Sequence, residues 1–171
     1  MPEVQVGSVR EGDSRELRDI RLRALADSPD AFGSTLEREQ AFNDSDWQQW
    51  ARDSAAGATE TCFLAWVDEE PVGIVGGYIE VGRDQVHLVA MWIDPQARRL
   101  GIGRTLIDAV VAWAVEIGAS AIRLDVAVDN AGAHRLYETS SFAPTGCTKQ
   151  YEDRPQLTTL ELERRLSTEA G

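Results

Sequence analysis

The chain has 171 residues and a formal charge of -12, from 29 acidic and 17 basic side chains, which argues against a nucleic-acid partner because phosphate backbones demand a basic face. Hydrophobic residues make up 43% and charged residues 27%, a globular mixture with enough chain for a real core, and no segment approaches the ~18 apolar residues of a membrane span. Cys62 and Cys147 stand far apart in no metal-ligand spacing, and the stretch MPEVQVGSVREGD lacks the apolar run of a signal peptide, so the expectation is reduced thiols, a cytoplasmic setting and no metal.

In chain order, VQVGSVR (4–10) alternates like a strand. GDSRELRDIRLRALADSP (12–29) opens on Asp13 and Ser14, good N-cap types, puts Leu17, Ile20, Ala24 and Leu25 on one side, and stops at Pro29. AFGSTLEREQAFNDSD (31–46) shows no periodicity and reads as irregular. DWQQWARDSAA (46–56) reads as a short helix with Trp47 and Trp50 at i, i+3. TCFLAWV (61–67) and PVGIVGGYIEV (71–81) flank an acidic turn and read as a hairpin. QVHLVAMWI (85–93) is mostly apolar, as a central strand would be.

The clearest helix follows. Ile102, Leu106, Val110, Trp113 and Ile117 share one face, and Gly118 closes it. SAIRLDVAV (120–128) is another strand, Asn130 can cap the helix NAGAHRLYETS, and FAPTGCTKQY and LTTLELERRL read as a closing antiparallel pair. This order predicts an α/β fold in one domain over 1–171: a mixed central sheet of about seven strands with helices on both faces.

Within this acidic chain Arg98, Arg99 and Arg104 crowd one turn with Gly101 and Gly103. A helix N-terminus presents unpaired N–H groups and about half a positive charge, and glycines let backbone curl around a ligand. The turn therefore reads as a site for a phosphate or pyrophosphate, against the plainer reading of a turn with solvated arginines. A Walker A loop would need Gly-Lys-Ser/Thr where Gly103-Arg104 stands, and a dinucleotide fingerprint would need a small residue in place of Leu106.

Arg98-X-X-Gly101-X-Gly103, just after a strand ending in Ile93-Asp94-Pro95, resembles the acetyl-CoA loop of the Gcn5-related N-acetyltransferases (GNAT). Asn130-X-X-Ala133-X-X-Leu136-Tyr137 followed by Ser141-Phe142 is similar to that family's later segment, with Ser141 where a glycine is usual. The resemblance covers nearly the whole chain. It implies acetyl-CoA as cosubstrate, bound by a core at about 85–142. The backbone of Met91, Trp92 and Ile93 would pair with the pantetheine arm. Arg98 and the amides of Arg99, Leu100, Gly101, Ile102, Gly103 and Arg104 would cradle the pyrophosphate. Asn130 would hold the arm, or serve only as a helix cap, or do both. Tyr137 would be the general acid beside the CoA sulfur, against the alternative of a core aromatic.

Acetylation of an ammonium also needs a base. Imidazole, with an ordinary pKa of ~6.5, suits the task, which brings forward His87 in the third sheet run. Asp125, five residues before Asn130, competes with it, because some protein N-terminal acetyltransferases of the family carry a glutamate there. His134 reads as surface or pocket rim. The resemblance places the acceptor among elements at about 12–56 and 142–166, where Phe32, Glu37 and Trp50 could hold a cationic amine. The expected function is direct transfer of an acetyl group to a primary amine of a small metabolite or antibiotic. A protein lysine or N-terminus is the alternative acceptor, and a non-catalytic acyl-CoA-binding regulatory domain the alternative of another class. The family also allows a homodimer.

Overall fold

The computed structural model describes residues 2–167. Seven strands make one sheet: β1 (Val4–Ser8), β2 (Glu60–Val67), β3 (Glu70–Ile79), β4 (Gln85–Ile93), β5 (Ala121–Ala127), β6 (Ala143–Tyr151) and β7 (Arg154–Arg165). The helices are α1 (Ser14–Asp27), α2 (Leu36–Gln40), α3 (Asp44–Ala56), α4 (Ile102–Glu116) and α5 (Ala131–Thr139). The strand order is β1-β2-β3-β4-β5-β7-β6. Every neighbouring pair is antiparallel except β4 and β5, which α4 joins as a parallel pair.

Side chains alternate across the sheet into two apolar clusters. Val75 and Ala65 face the cluster under α4, with Leu106, Val110, Trp113, Ile122 and Leu124. Their neighbours Ile74 and Leu64 face the other, with Leu17, Ile20 and Leu25 of α1 and Trp47 and Ala51 of α3. The face read off α4 is the buried one, and Gly118 ends it at a φ of 81°, with Ala119 N–H reaching back to the Ala114 carbonyl. No helix among the described residues is long and apolar enough to cross a membrane.

The stretch expected to be irregular contains α2, a single short helix capped by the Thr35 hydroxyl, which accepts from Arg38 N at 3.2 Å. It escapes pattern reading because its buried residue is charged. Glu39 is 3% exposed and takes a bidentate pair from Arg21 of α1, at 2.8 and 3.0 Å. Removing one member of such a pair strands the other charge in the interior. Glu39→Ala should therefore cost about 3 to 5 kcal/mol of folding stability. Urea titration at neutral pH checks this, and a loss under about 1 kcal/mol would show that water already serves the pair.

Candidate functional site

The parallel pair β4 and β5 is short. Its rungs are Gln85↔Ala121, Val86↔Ile122 and His87↔Arg123, after which the strands part. On its other edge, β4 gains one residue against β3: Ile74 faces Trp92, while Gly76 faces Val89. The extra residue is Ala90, with a φ of 59°. A bulge of this kind bends and twists its strand. The separation opens a cavity of about 540 Å³, walled by Leu88–Met91 of β4 and Leu124–Ala127 of β5. His87, Asp125, Asn130 and Tyr137 all line it, so the structure brings together residues that are far apart in sequence.

At the carboxyl end of β4, the chain turns into α4. Gly101 is the N-cap with a φ of 77°, a backbone state that favours glycine. Gly103 serves a different purpose. A Cβ there would lie 2.8 Å from Leu136 of α5 and 3.1 Å from Ile93, so its hydrogen lets α4, α5 and β4 pack closely. The first-turn N–H groups of Ile102, Gly103 and Arg104 have no intrahelical acceptor. Arg99, with a φ of 68°, and Arg104 are exposed and make no hydrogen bond or ion pair within the described residues. Arg98 is already engaged: its Nε donates to the Ile93 carbonyl at 3.1 Å, and Asp27 lies 3.5 Å from Nη2. Asp27 also accepts from Trp92 Nε1 at 2.9 Å, and its carboxyl is held below the ordinary range by that bond, by Ser28 and by Arg98. Arg98 thus braces the turn against α1, and the charge left free comes from Arg99, Arg104 and the helix terminus.

Asn130 caps α5, accepting from Ala133 N at 3.1 Å. Its helix ends in paired return bonds: Phe142 N to the Tyr137 carbonyl at 3.0 Å and Ser141 N to the Glu138 carbonyl at 3.2 Å, with Ser141 left-handed at a φ of 70°. The ring of Phe142 closes edge-on against Tyr137 at 5.7 Å. This terminus fixes Tyr137 in the cavity wall. The phenol is 6% exposed, and burial pushes it well above the usual tyrosine range, so it keeps its proton at any working pH. His134 lies outside the cavity lining, with Nε2 against the Ala127 carbonyl at 2.9 Å.

The two candidate bases are neighbours. His87 Nε2 is 3.7 Å from Asp125 Oδ2, and His87 Nδ1 is 3.3 Å from Glu80 Oε1. Tyr78 stacks on the imidazole at 5.4 Å, and its phenol is raised by burial and by the charges of Glu80 and Asp125. Glu80 and Tyr78 were not picked out by sequence reasoning. Their signal was strand pairing, since the antiparallel register sets Tyr78 opposite His87. Among the described residues, no three His, Cys, Asp or Glu groups could hold a metal ion.

Where the acceptor was expected, Phe32 and Trp50 do line the cavity, but they flank the protein's own cation: the Arg21 guanidinium lies 4.8 Å from the Phe32 ring and 5.7 Å from Trp50. Glu37 is exposed and outside the lining. Of the three expected acceptor residues, Phe32 and Trp50 thus reach the cavity and Glu37 does not; Arg21, Asp30, Lys149 and Tyr151 line it beside them.

A profile of the acetyltransferase (GNAT) family matches residues 21–142. The chain belongs to the GNAT family. It is 33% identical over 107 residues to N-acetylaspartate synthetase of Danio rerio, covering 62% of this chain and 38% of that protein. It is 30% identical over 151 residues to mycothiol acetyltransferase of Geodermatophilus obscurus, covering 83% of this chain and 46% of that protein. The chain thus matches less than half the length of these relatives. The solved structure of yncA from Salmonella typhimurium, described with its cofactor acetyl-CoA, superposes with a TM-score of 0.80 over 99% of this chain and 97% of that one, at 14% identity, a likeness of fold.

Against the GNAT pattern, Ser141 occupies a left-handed position where glycine is usual. A side chain there costs about 1 to 2 kcal/mol, and glycine's freedom when unfolded offsets about 0.4 to 1 of that. Ser141→Gly should therefore stabilise the fold by a few tenths to about 1 kcal/mol. Chemical denaturation reads the change, and a destabilised variant would mean that the serine hydroxyl contributes more than the strain removes.

Proposed function

We propose that the protein is an acetyl-CoA-dependent N-acetyltransferase that moves an acetyl group directly onto a primary amine of a small molecule. The observation carrying this reading is the gathering of His87, Asp125, Asn130 and Tyr137 on the single cavity where β4 and β5 part. The site residues fit a thioester with a diphosphate tail. The edge of β4 at Met91–Ile93 is turned away from β5, free to pair with an extended arm. Asn130 lines the same cavity as Met91, and the Gly101–Arg104 turn supplies amides and cations for phosphates. A cross-tie also supports a small acceptor: Arg154 of β7 donates to the Pro29 carbonyl at 3.1 Å, closing the hairpin over the 29–34 segment.

The steps follow from these positions. His87 or Asp125 removes one proton from the ammonium, directly or through water, freeing the nitrogen lone pair to attack the thioester carbonyl. As the carbon–sulfur bond breaks, Tyr137 donates its proton to the departing sulfur; the nitrogen releases its second proton to solvent as the amide forms, and Tyr137 is reprotonated from solvent. The products are the N-acetyl amine, coenzyme A with its thiol, and the proton taken by the base. Burial keeps Tyr137 in the donating form.

Coenzyme A release across a panel of amines tests the function as a whole, and release that never depends on an amine would reject it. Tyr137→Phe should lower kcat by roughly ten- to ten-thousand-fold with little change in acetyl-CoA affinity by calorimetry. Because His87 and Asp125 lie 3.7 Å apart, they should act as a unit. The His87→Ala and Asp125→Asn double variant should lose little more kcat than the worse single variant. Losses that multiply would show two independent roles.

A further inference from the structure

We propose that the acceptor of this N-acetyltransferase carries a carboxylate besides its amine, and that Arg21 is the residue that reads it. The inference rests on the function proposed above and names its substrate class. Arg21 sits on α1, inside the wall of the acceptor end. Its side chain is nine-tenths buried, at 10% exposure. Nε and Nη2 are taken by the two oxygens of Glu39. Nη1 is buried with no hydrogen-bond partner.

A guanidinium offers five N–H donors in a rigid plane. One N–H edge of that plane is taken by Glu39, and the Phe32 and Trp50 rings pack against the cation without accepting a hydrogen bond from it. A buried charged donor left unpaired is costly, and the group that best satisfies it is an anionic oxygen. The cavity that Arg21 lines is the one an acceptor must enter.

The surroundings agree in sign. Lys149, the chain's sole lysine, lines the same cavity from β6. Arg154 stacks on Tyr151 at 5.3 Å, and its Nε is buried without a hydrogen bond. The acidic groups nearby are Glu39, which is committed to Arg21, Asp30 on the lining, and Asp153, which is 72% exposed and 4.0 Å from Arg154. At the other pole, Asp125 and Glu80 flank His87. One cavity thus has one pole, at Asp125 beside His87, that suits an ammonium, and a second, at Arg21 Nη1 and Lys149, that suits a carboxylate. An amine without an anionic group would leave the second pole unanswered.

The test compares amino acids with their amides and with the corresponding decarboxylated amines, by coenzyme A release. Loss of one charge-assisted hydrogen bond corresponds to roughly 10- to 100-fold. The carboxylate-bearing member of each set should have the higher kcat/KM by that factor. α- and ω-amino acids in the panel locate the carboxylate relative to the amine. The same preference should collapse in an Arg21→Gln, Glu39→Gln double variant, which removes both charges together. Amides or simple amines used equally well would overturn the proposal, as would a preference that survives in the folded double variant. If that variant does not fold, the wild-type comparison decides alone. A second readout separates this idea from the function beneath it: calorimetry of N-acetyl amino acids against N-acetyl amino amides, with coenzyme A present. Tighter binding of the acids without turnover of any amine would uphold the carboxylate site while rejecting the transferase reading. Equal binding of acids and amides would reject the site.

Discussion

β4 and β5 are held together by three rungs and then separate, and the site depends on that separation. A parallel pair requires a crossover, here α4, and the crossover begins where β4 ends. The amino end of α4 is therefore delivered to the mouth of the gap, as is general at the carboxyl ends of strands in open α/β sheets. Ala90 enforces the divergence from the other side, by adding a residue to β4 that β3 does not match. Holding an alanine left-handed costs about 1 to 2 kcal/mol locally, and the two apolar clusters on either face of the sheet supply the rigidity that keeps it there.

The few cations of this acidic chain are placed with economy. Arg98 braces the turn against α1, Arg123 is bound to Glu163 at 2.8 Å, and Arg21 is locked to Glu39. Arg99 and Arg104 remain open at the start of α4, where the helix terminus adds to them. Cations are thus gathered at one turn of a molecule whose dominant charge is negative, an arrangement that composition alone does not disclose.

Periodic elements were legible in the sequence. β4 runs over the residues its apolar composition indicated, α4 buries the face its spacing indicated, and Asn130 caps α5 as its residue type suggested. Features that depend on register or on one unusual residue were not. Ala90 carries no glycine to announce a bulge, and Ser141 closes a helix in a conformation that its side chain disfavours. The 31–46 stretch reads as irregular because the buried residue of its helix, Glu39, is charged, so both α2 and the contact of Arg21 with Phe32 and Trp50 went unseen. Gly103 was legible as part of a motif, but its role in helix packing emerged only from the 2.8 Å approach of Leu136.

The bidentate lock between Arg21 and Glu39 has a bearing on how this site could change over generations. Either residue altered alone leaves a naked charge in the interior, so single steps away from the pair pass through a weakened protein. The two positions, eighteen residues apart, are expected to drift together or not at all. The end of the cavity they build is then its slow-evolving part. Diversification toward new acceptors has an easier route through the exposed β6 strand and its turn, where Lys149 can be exchanged without disturbing the core.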